Sequence, residues 1–134
     1  MTQKVKAKNI LCENDIRPSV VRLSVLDYLL CNRTHPPADE IYKALEEKIP
    51  TLSKTSVYNT LKLLVEKDII KEIDIDAQQV RYDGCAEFHG HFKCDKCLGI
   101  YDLDIEEPKA NPNGFSVKHK EVYYYGICNQ CAVE

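Results

Sequence analysis

Apolar positions recur at helical spacing through most of the first half of the chain. Between Pro18 and Cys31 they are Val21, Val25, Leu26, Leu29 and Leu30, with Pro18 suited to a first turn. His35-Pro36-Pro37 breaks that helix. A second helix is predicted from Ala38 to about Lys48, with Ile41, Tyr42 and Leu45 inward, ending at Pro50. Ser53 is a good N-cap for a third, Lys54 to about Lys67, in which Val57, Leu61, Leu64 and Val65 form the buried stripe. Three amphipathic helices with short breaks predict a helix-turn-helix core. The period then becomes alternating: Ile73 and Ile75 interleave with acidic residues, and Val80 and Tyr82 flank Arg81. Ile69 to Ile75 and Gln79 to Tyr82, joined by Asp76-Ala77-Gln78, therefore predict a two-stranded hairpin, the wing of a winged helix.

Residues 84–91 read as a hinge-like link, and residues 92–134 as a small β domain. Strands are predicted over His91 to Cys94, Ile100 to Asp104 and Ser116 to Ile127, whereas Pro108, Pro112 and Gly114 argue against a long helix between Glu106 and Gly114. Tyr123, Tyr124 and Tyr125 lie in a β-favouring run, and an aromatic-rich edge strand in so small a domain points to dimerisation.

Composition sharpens this division. A chain of 134 residues, 44% hydrophobic, has room for one domain or two small ones, and the second would be too short to build a generous core unaided. No apolar run reaches signal-peptide or membrane-spanning length, so a soluble, cytoplasmic protein without a membrane partner is expected. Residues 1–83 carry 13 basic and 13 acidic side chains and residues 84–134 carry 5 and 8, so the net charge of −3 belongs to the C-terminal part. Within the first 22 residues, however, Lys4, Lys6, Lys8, Arg17 and Arg22 face only Glu13 and Asp15, a local cationic patch suited to phosphates or a plain solvated helix face. Cys12 and Cys31, in apolar helical stretches, read as buried small hydrophobes, and Cys85 stays open as an extra ligand or a reactive thiol.

Two Cys-x-x-Cys pairs, Cys94/Cys97 and Cys128/Cys131, carry the strongest chemical signal. Each such turn lets two thiolates reach one ion, and two turns complete a structural Cys₄ shell for Zn²⁺ at about 2.3 Å per bond. A pair of disulfides or four unrelated core cysteines is the alternative. A thioredoxin-like enzyme would need its Cys-x-x-Cys to open a helix after a strand, and both pairs here stand between β segments, so catalysis is not expected. His89 and His91 alternate on a strand and share a face. The nearest hard ligands are Asp83 and Asp102, and the remaining upstream histidine is His35. Should all five converge, three nitrogens and two carboxylate oxygens suit Fe²⁺ or Mn²⁺ better than a tight structural Zn²⁺; otherwise His35 caps or packs, and the two aspartates are ordinary turn carboxylates. The common use of a winged helix is to dock its third helix in the DNA major groove, although such domains also serve as protein-protein modules and an exposed helix face can be polar without a role. Opposite the buried stripe that helix carries Lys54, Thr55, Tyr58, Asn59 and Lys62, which suit base edges, thymine methyls and phosphates, with Lys8 and Arg17 as further phosphate contacts.

The runs His35-Pro36, Ser53-Lys54-Thr55-Ser56-Val57-Tyr58-Asn59-Thr60-Leu61, Arg81-Tyr82-Asp83, His89-Gly90-His91-Phe92-Lys93-Cys94-Asp95-Lys96-Cys97, Ile100-Tyr101-Asp102 and Tyr125-Gly126-Ile127-Cys128-Asn129-Gln130-Cys131 resemble the ferric uptake regulator family of bacterial repressors, in order and over nearly the whole chain. The resemblance implies a homodimeric, metal-dependent transcription factor that binds double-stranded operator DNA, with a winged helix, a dimerisation domain and a Cys₄ structural zinc. Within the family, His35, Asp83, His89, His91 and Asp102 match the regulatory iron or manganese ligands of the peroxide-sensing members; iron-responsive members more often show glutamate at the position of Asp102. The expected function is a peroxide-sensing repressor, with an iron-uptake regulator or a zinc-thiol redox switch as alternatives. The family's usual helix between the dimerisation strands is not expected over Glu106 to Gly114. Phe88 and Gly90 occupy positions where a third metal site would need ligands, and His119 reads as an exposed strand histidine. The predicted fold class is α+β: a winged helix-turn-helix DNA-binding domain over residues 1–83, a hinge over 84–91, and a β-rich dimerisation domain with the zinc knot over 92–134.

Overall fold

The computed structural model describes residues 3–76, 79–84 and 88–133. Cys85, with its open role, and part of the hairpin turn lie outside them. The chain divides into two compact units, Met1–Ala86 and Glu87–Glu134.

The first unit holds four helices: α1 (Gln3–Glu13), α2 (Val20–Cys31), α3 (Ala38–Glu46) and α4 (Lys54–Glu66). Helix α1 precedes the three that hydrophobic periodicity predicts. Among its described side chains it buries Ala7 and Leu11, an i, i+4 pair with Ile10 half-buried beside them, too narrow a stripe to stand out in a lysine-rich segment. It closes with Asp15 in the left-handed region (φ 58°), where Ile16 N–H donates to Leu11 O at 2.9 Å and Asp15 N–H to Cys12 O at 3.2 Å. Ser19, not Pro18, begins α2: its hydroxyl accepts from Arg22 N–H, which leaves Pro18 outside the helix. Ser53 caps α4 in the same way, accepting from Ser56 N–H. Val25, Leu26 and Leu29 of α2, Ile41 and Leu45 of α3 and Val57, Leu61 and Leu64 of α4 meet in one core, while Tyr42 and Val65 are only partly buried against it. Cys12 and Cys31 are exposed, contrary to expectation, because each falls on the outward side of its helix.

After α4 the chain makes a second left-handed closure at Asp68 (φ 57°), and Ile69 N–H returns to Leu64 O. Ile69 and Ile70 are thereby drawn into the helical core, so the wing is shorter than the alternating pattern suggests. It pairs β1 (Lys71–Ile73) with β2 (Arg81–Asp83) antiparallel, Lys71 opposite Asp83. Tyr82 N–H also donates to Pro36 O at 3.0 Å, which fastens β2 to the break between α2 and α3.

The second unit is a three-stranded sheet in the order β4-β3-β5. Strand β3 (Gly90–Cys94) runs antiparallel to β4 (Ile100–Leu103) and parallel to β5 (Tyr123–Gly126). The last strand is four residues long, not the predicted span from Ser116. It pairs only where the short β3 offers groups, from His91 opposite Tyr123 to Cys94 opposite Gly126, with one further bond from His91 N–H to Val122 O. His119 is therefore exposed on an irregular segment, not on a strand. Between β4 and β5 a single 3-10 turn (Pro112–Gly114) stands where the prolines forbid a longer helix. Cys94 and Cys128 are the only buried apolar side chains among this unit's described residues.

Candidate metal centres and nucleic-acid face

Cys94 ends β3 and Cys128 follows β5, and these neighbouring parallel strands deliver both Cys-x-x-Cys turns to one end of the sheet. One sulfur from each of Cys94, Cys97, Cys128 and Cys131 lies within 4.8 Å of every other. The Cys97 and Cys128 sulfurs are 4.0 Å apart, against about 3.8 Å for the edge of a tetrahedron with 2.3 Å bonds, so the set fits Zn²⁺. All four are free thiols, which sets the disulfide alternative aside. The amides of Cys128 and Cys97 each donate to Cys94 Sγ at 3.4 Å, and these bonds, Cys128's first, bring the thiol well below its usual range, to about 6. The amide of Cys131 lowers Cys128 similarly. Cys131 goes the other way, up to about 12, chiefly through its side-chain hydrogen bond to Cys128. Such a cluster ionises fully only when a cation balances the thiolates. Sequence spacing does not point to Tyr101 here: its hydroxyl lies 3.2 Å from Cys97 Sγ, and that contact raises the phenol's pKa.

In the first unit, His35 and Asp83 meet. The bond that fastens β2 beside Pro36 brings them together, His35 Nε2 standing 3.4 Å from Asp83 Oδ2, both side chains almost wholly buried. His35 adopts a left-handed backbone (φ 57°), a conformation that costs a non-glycine residue on the order of 1 kcal/mol or more and turns the chain sharply before Pro36. Gly84 completes the corner, since a Cβ there would stand 2.8 Å from the carbonyl oxygen of Leu29 in α2. Asp83 Oδ1 also faces Arg33 Nη2 at 3.3 Å, an ion pair that sequence spacing does not reveal.

In the second unit, His91 and Asp102 are directly opposite on β3 and β4, which puts both on one face. Asp102 Oδ1 lies 3.5 Å from His91 Nε2 and 3.2 Å from His89 Nε2, and the two imidazoles are 4.4 Å apart between centroids. Tyr123, opposite His91 on β5, continues the row with its ring 6.2 Å from the imidazole. Each unit thus presents nitrogen and carboxylate donors, His35 with Asp83 and His89 and His91 with Asp102.

On α4, Lys54, Thr55, Tyr58, Asn59 and Lys62 are all exposed, as are Lys8 and Arg17. Two of them are braced from α3: the Tyr58 hydroxyl donates to Asp39 Oδ1 at 3.3 Å, and Lys54 Nζ sits 5.7 Å above the Tyr42 ring. Among the described residues no helix is long and apolar enough to cross a membrane.

A model of the ferric uptake regulator family matches residues 13–125. The chain is 35% identical over 133 residues to a peroxide operon regulator of Bacillus subtilis, spanning 95% of this chain and 92% of that one. It is 32% identical over 125 residues to a peroxide-responsive repressor of Staphylococcus epidermidis, spanning 89% and 83%. Its fold is similar to that of the Campylobacter jejuni peroxide stress regulator (TM-score 0.70, 30% identity, covering 98% and 100% of the two chains). It also resembles a zinc uptake regulator solved with zinc and DNA (TM-score 0.75, 21% identity, covering 99% and 97%).

Proposed function

The chain belongs to the ferric uptake regulator family, and on that premise we propose that it is a metal-dependent, DNA-binding repressor that responds to peroxide. The observation that carries this reading is the donor set. Three imidazole nitrogens and two carboxylates, gathered as His35 with Asp83 and as His89 and His91 with Asp102, suit Fe²⁺ or Mn²⁺, while the four thiols suit a separate structural Zn²⁺. Similarity to peroxide regulators of B. subtilis and S. epidermidis over most of the chain supports the same signal.

In this reading the five residues hold a single regulatory ion shared by the DNA-binding domain, residues 1–83, and the dimerisation domain, residues 92–134; of the hinge expected over residues 84–91, Gly90 and His91 belong to strand β3. Helix α4 enters the major groove of operator DNA with Thr55, Tyr58 and Asn59 at base edges, and Lys54, Lys62, Lys8 and Arg17 at phosphates. The protein acts as a homodimer through its C-terminal unit. Of the ten large apolar side chains left exposed among the described residues, eight belong to that unit, among them Tyr124, Tyr125 and Ile127 at and beside the edge strand β5. His35, Asp83, His89, His91 and Asp102 would hold the ion, and Fe²⁺ there would supply the electrons for reducing hydrogen peroxide, which Mn²⁺ would not readily do. His35 or His89 would take up the oxygen and lose its value as a ligand, and the tie between the two domains would be lost with it.

The test compares iron-loaded and manganese-loaded protein on a DNA fragment selected from a random pool. Dilute peroxide is expected to release only the iron form, with one oxygen added to the peptide bearing His35 or His89. Release with both histidines intact and cysteines oxidised would make the sensor thiol-based, and release only on iron removal would make the protein an iron-uptake regulator.

A further inference from the structure

We propose that Tyr101 guards the zinc knot: its phenol donates a hydrogen bond to the thiolate of Cys97, the one exposed cysteine of the four, and holds it back from peroxide and other electrophiles. Cys94 and Cys128 are buried and Cys131 is half-buried, so Cys97 is where an oxidant meets the knot first. Tyr101 Oη lies 3.2 Å from its sulfur. In the zinc-bound state Cys97 carries no proton, so the phenol must be the donor, and a bond to a charged acceptor is among the stronger kinds.

A Cβ at Gly99 would stand 2.6 Å from Tyr101 Oη, 2.8 Å from Cζ and 3.0 Å from Cε2, so the ring lies directly over the bare glycine and would have to swing aside for a larger residue. The turn beneath is closed by Leu98 N–H to Cys94 O and by Cys94 N–H to Gly99 O, both at 3.0 Å, with Leu98 itself in the left-handed region (φ 64°). Alternation along β4 sends Tyr101 and Asp102 to opposite faces. Adjacent residues of one strand therefore serve the knot and the His89–His91 cluster.

The reaction that Tyr101 suppresses is attack of the Cys97 thiolate on hydrogen peroxide. An S–O bond forms, the O–O bond breaks and hydroxide leaves, so sulfur gives up two electrons and the departing oxygen accepts them. That attack uses the sulfur lone pair the phenol engages. A protein that responds to peroxide elsewhere gains from a knot that does not.

The guarding role rests on the zinc reading of the four cysteines, and the experiment separates the two. Full-length zinc-loaded protein with Mn²⁺ in place of iron is exposed to dilute peroxide while a chromophoric chelator reports zinc release. Tyr101→Phe keeps the ring and removes the donor; Gly99→Ala displaces the ring by its new Cβ; Tyr124→Phe alters an exposed tyrosine of β5 as control. Release is expected to be about tenfold faster in the first two, as for loss of one hydrogen bond to a charged group, and unchanged in the control. Limiting iodoacetamide should label Cys97 ahead of the other three knot cysteines in those variants, and faster than in the wild type. In Co²⁺-substituted Tyr101→Phe the sulfur-to-metal charge-transfer band should move to lower energy, a change that a purely structural role for the ring would not produce. Wild-type rates and an unmoved band in Tyr101→Phe would overturn the proposal. A wild-type protein that binds no zinc at these cysteines would overturn the zinc reading and the proposal with it.

Discussion

Cys94 is fully buried, and its sulfur takes amide bonds from both Cys-x-x-Cys turns, so it anchors the knot from each side. With few other buried side chains among the C-terminal unit's described residues, zinc stands in for a core there, and a structural site of this kind contributes about 10 kcal/mol or more to folding. Cys94→Ser is accordingly expected to lose zinc and unfold or monomerise that unit while the four helices persist; metal analysis with circular dichroism and light scattering checks it. Asp83 is the corresponding residue of the first unit. Its oxygens face Arg33 and His35 separately, and the guanidinium orients the carboxylate. Asp83→Asn preserves the shape and removes the charge, so Mn²⁺ affinity by titration calorimetry should fall at least about tenfold with helicity unchanged.

Among the elements, α4 does two jobs on two faces. Its inner face is core: Leu61 has no exposed surface, and Leu61→Ala should cost about 2–5 kcal/mol in urea unfolding, while loss of the Ser53 cap in Ser53→Ala should cost about 1 kcal/mol. The outer face carries recognition in the proposed function. Tyr58→Ala and Asn59→Ala should each weaken specific DNA binding by about 1–3 kcal/mol without changing metal content. Lys8→Ala and Arg17→Ala should instead weaken binding to all sequences and flatten its salt dependence. Four unchanged affinities would remove α4 from the DNA. Asp39 extends this face to α3, because it accepts from the Tyr58 hydroxyl and so restrains the ring before any base is met.

For the whole molecule, the two kinds of metal are expected to separate functionally. A mild chelator that strips only the regulatory ion should abolish DNA binding and leave zinc and the dimer in place, whereas removing zinc should dissolve the dimer; native mass spectrometry alongside a DNA-binding assay distinguishes the two. Asp102→Ala should retain zinc yet show no oxygen added to His35 or His89 after peroxide, because the proposed iron shell lacks its β4 ligand.

The sequence by itself determined whatever depends on local order. Helical spacing marked three of the four helices, Ser53 marked the start of α4, and Cys-x-x-Cys turns joined to strands announced a thiolate cage before any fold was known. Alternation put His89 and His91 together, and the resemblance supplied the family. What only the tertiary structure decided is whatever depends on a partner distant in the chain. Helix α1 is a helix although its apolar stripe is narrow, because α2 gives Ala7 and Leu11 somewhere to bury. Strand β5 stops at four residues because a strand is only as long as the neighbour that satisfies its backbone. Cys12 and Cys31 point outward because helical phase within a packed unit, not residue type, sets burial. The pairing of Asp83 with Arg33 and His35 needs a wing strand laid against a proline-bearing break, and Tyr101 reaches Cys97 across the turn, over a bare glycine. No periodicity encodes either contact, because each is made by side chains whose neighbours are chosen by folding.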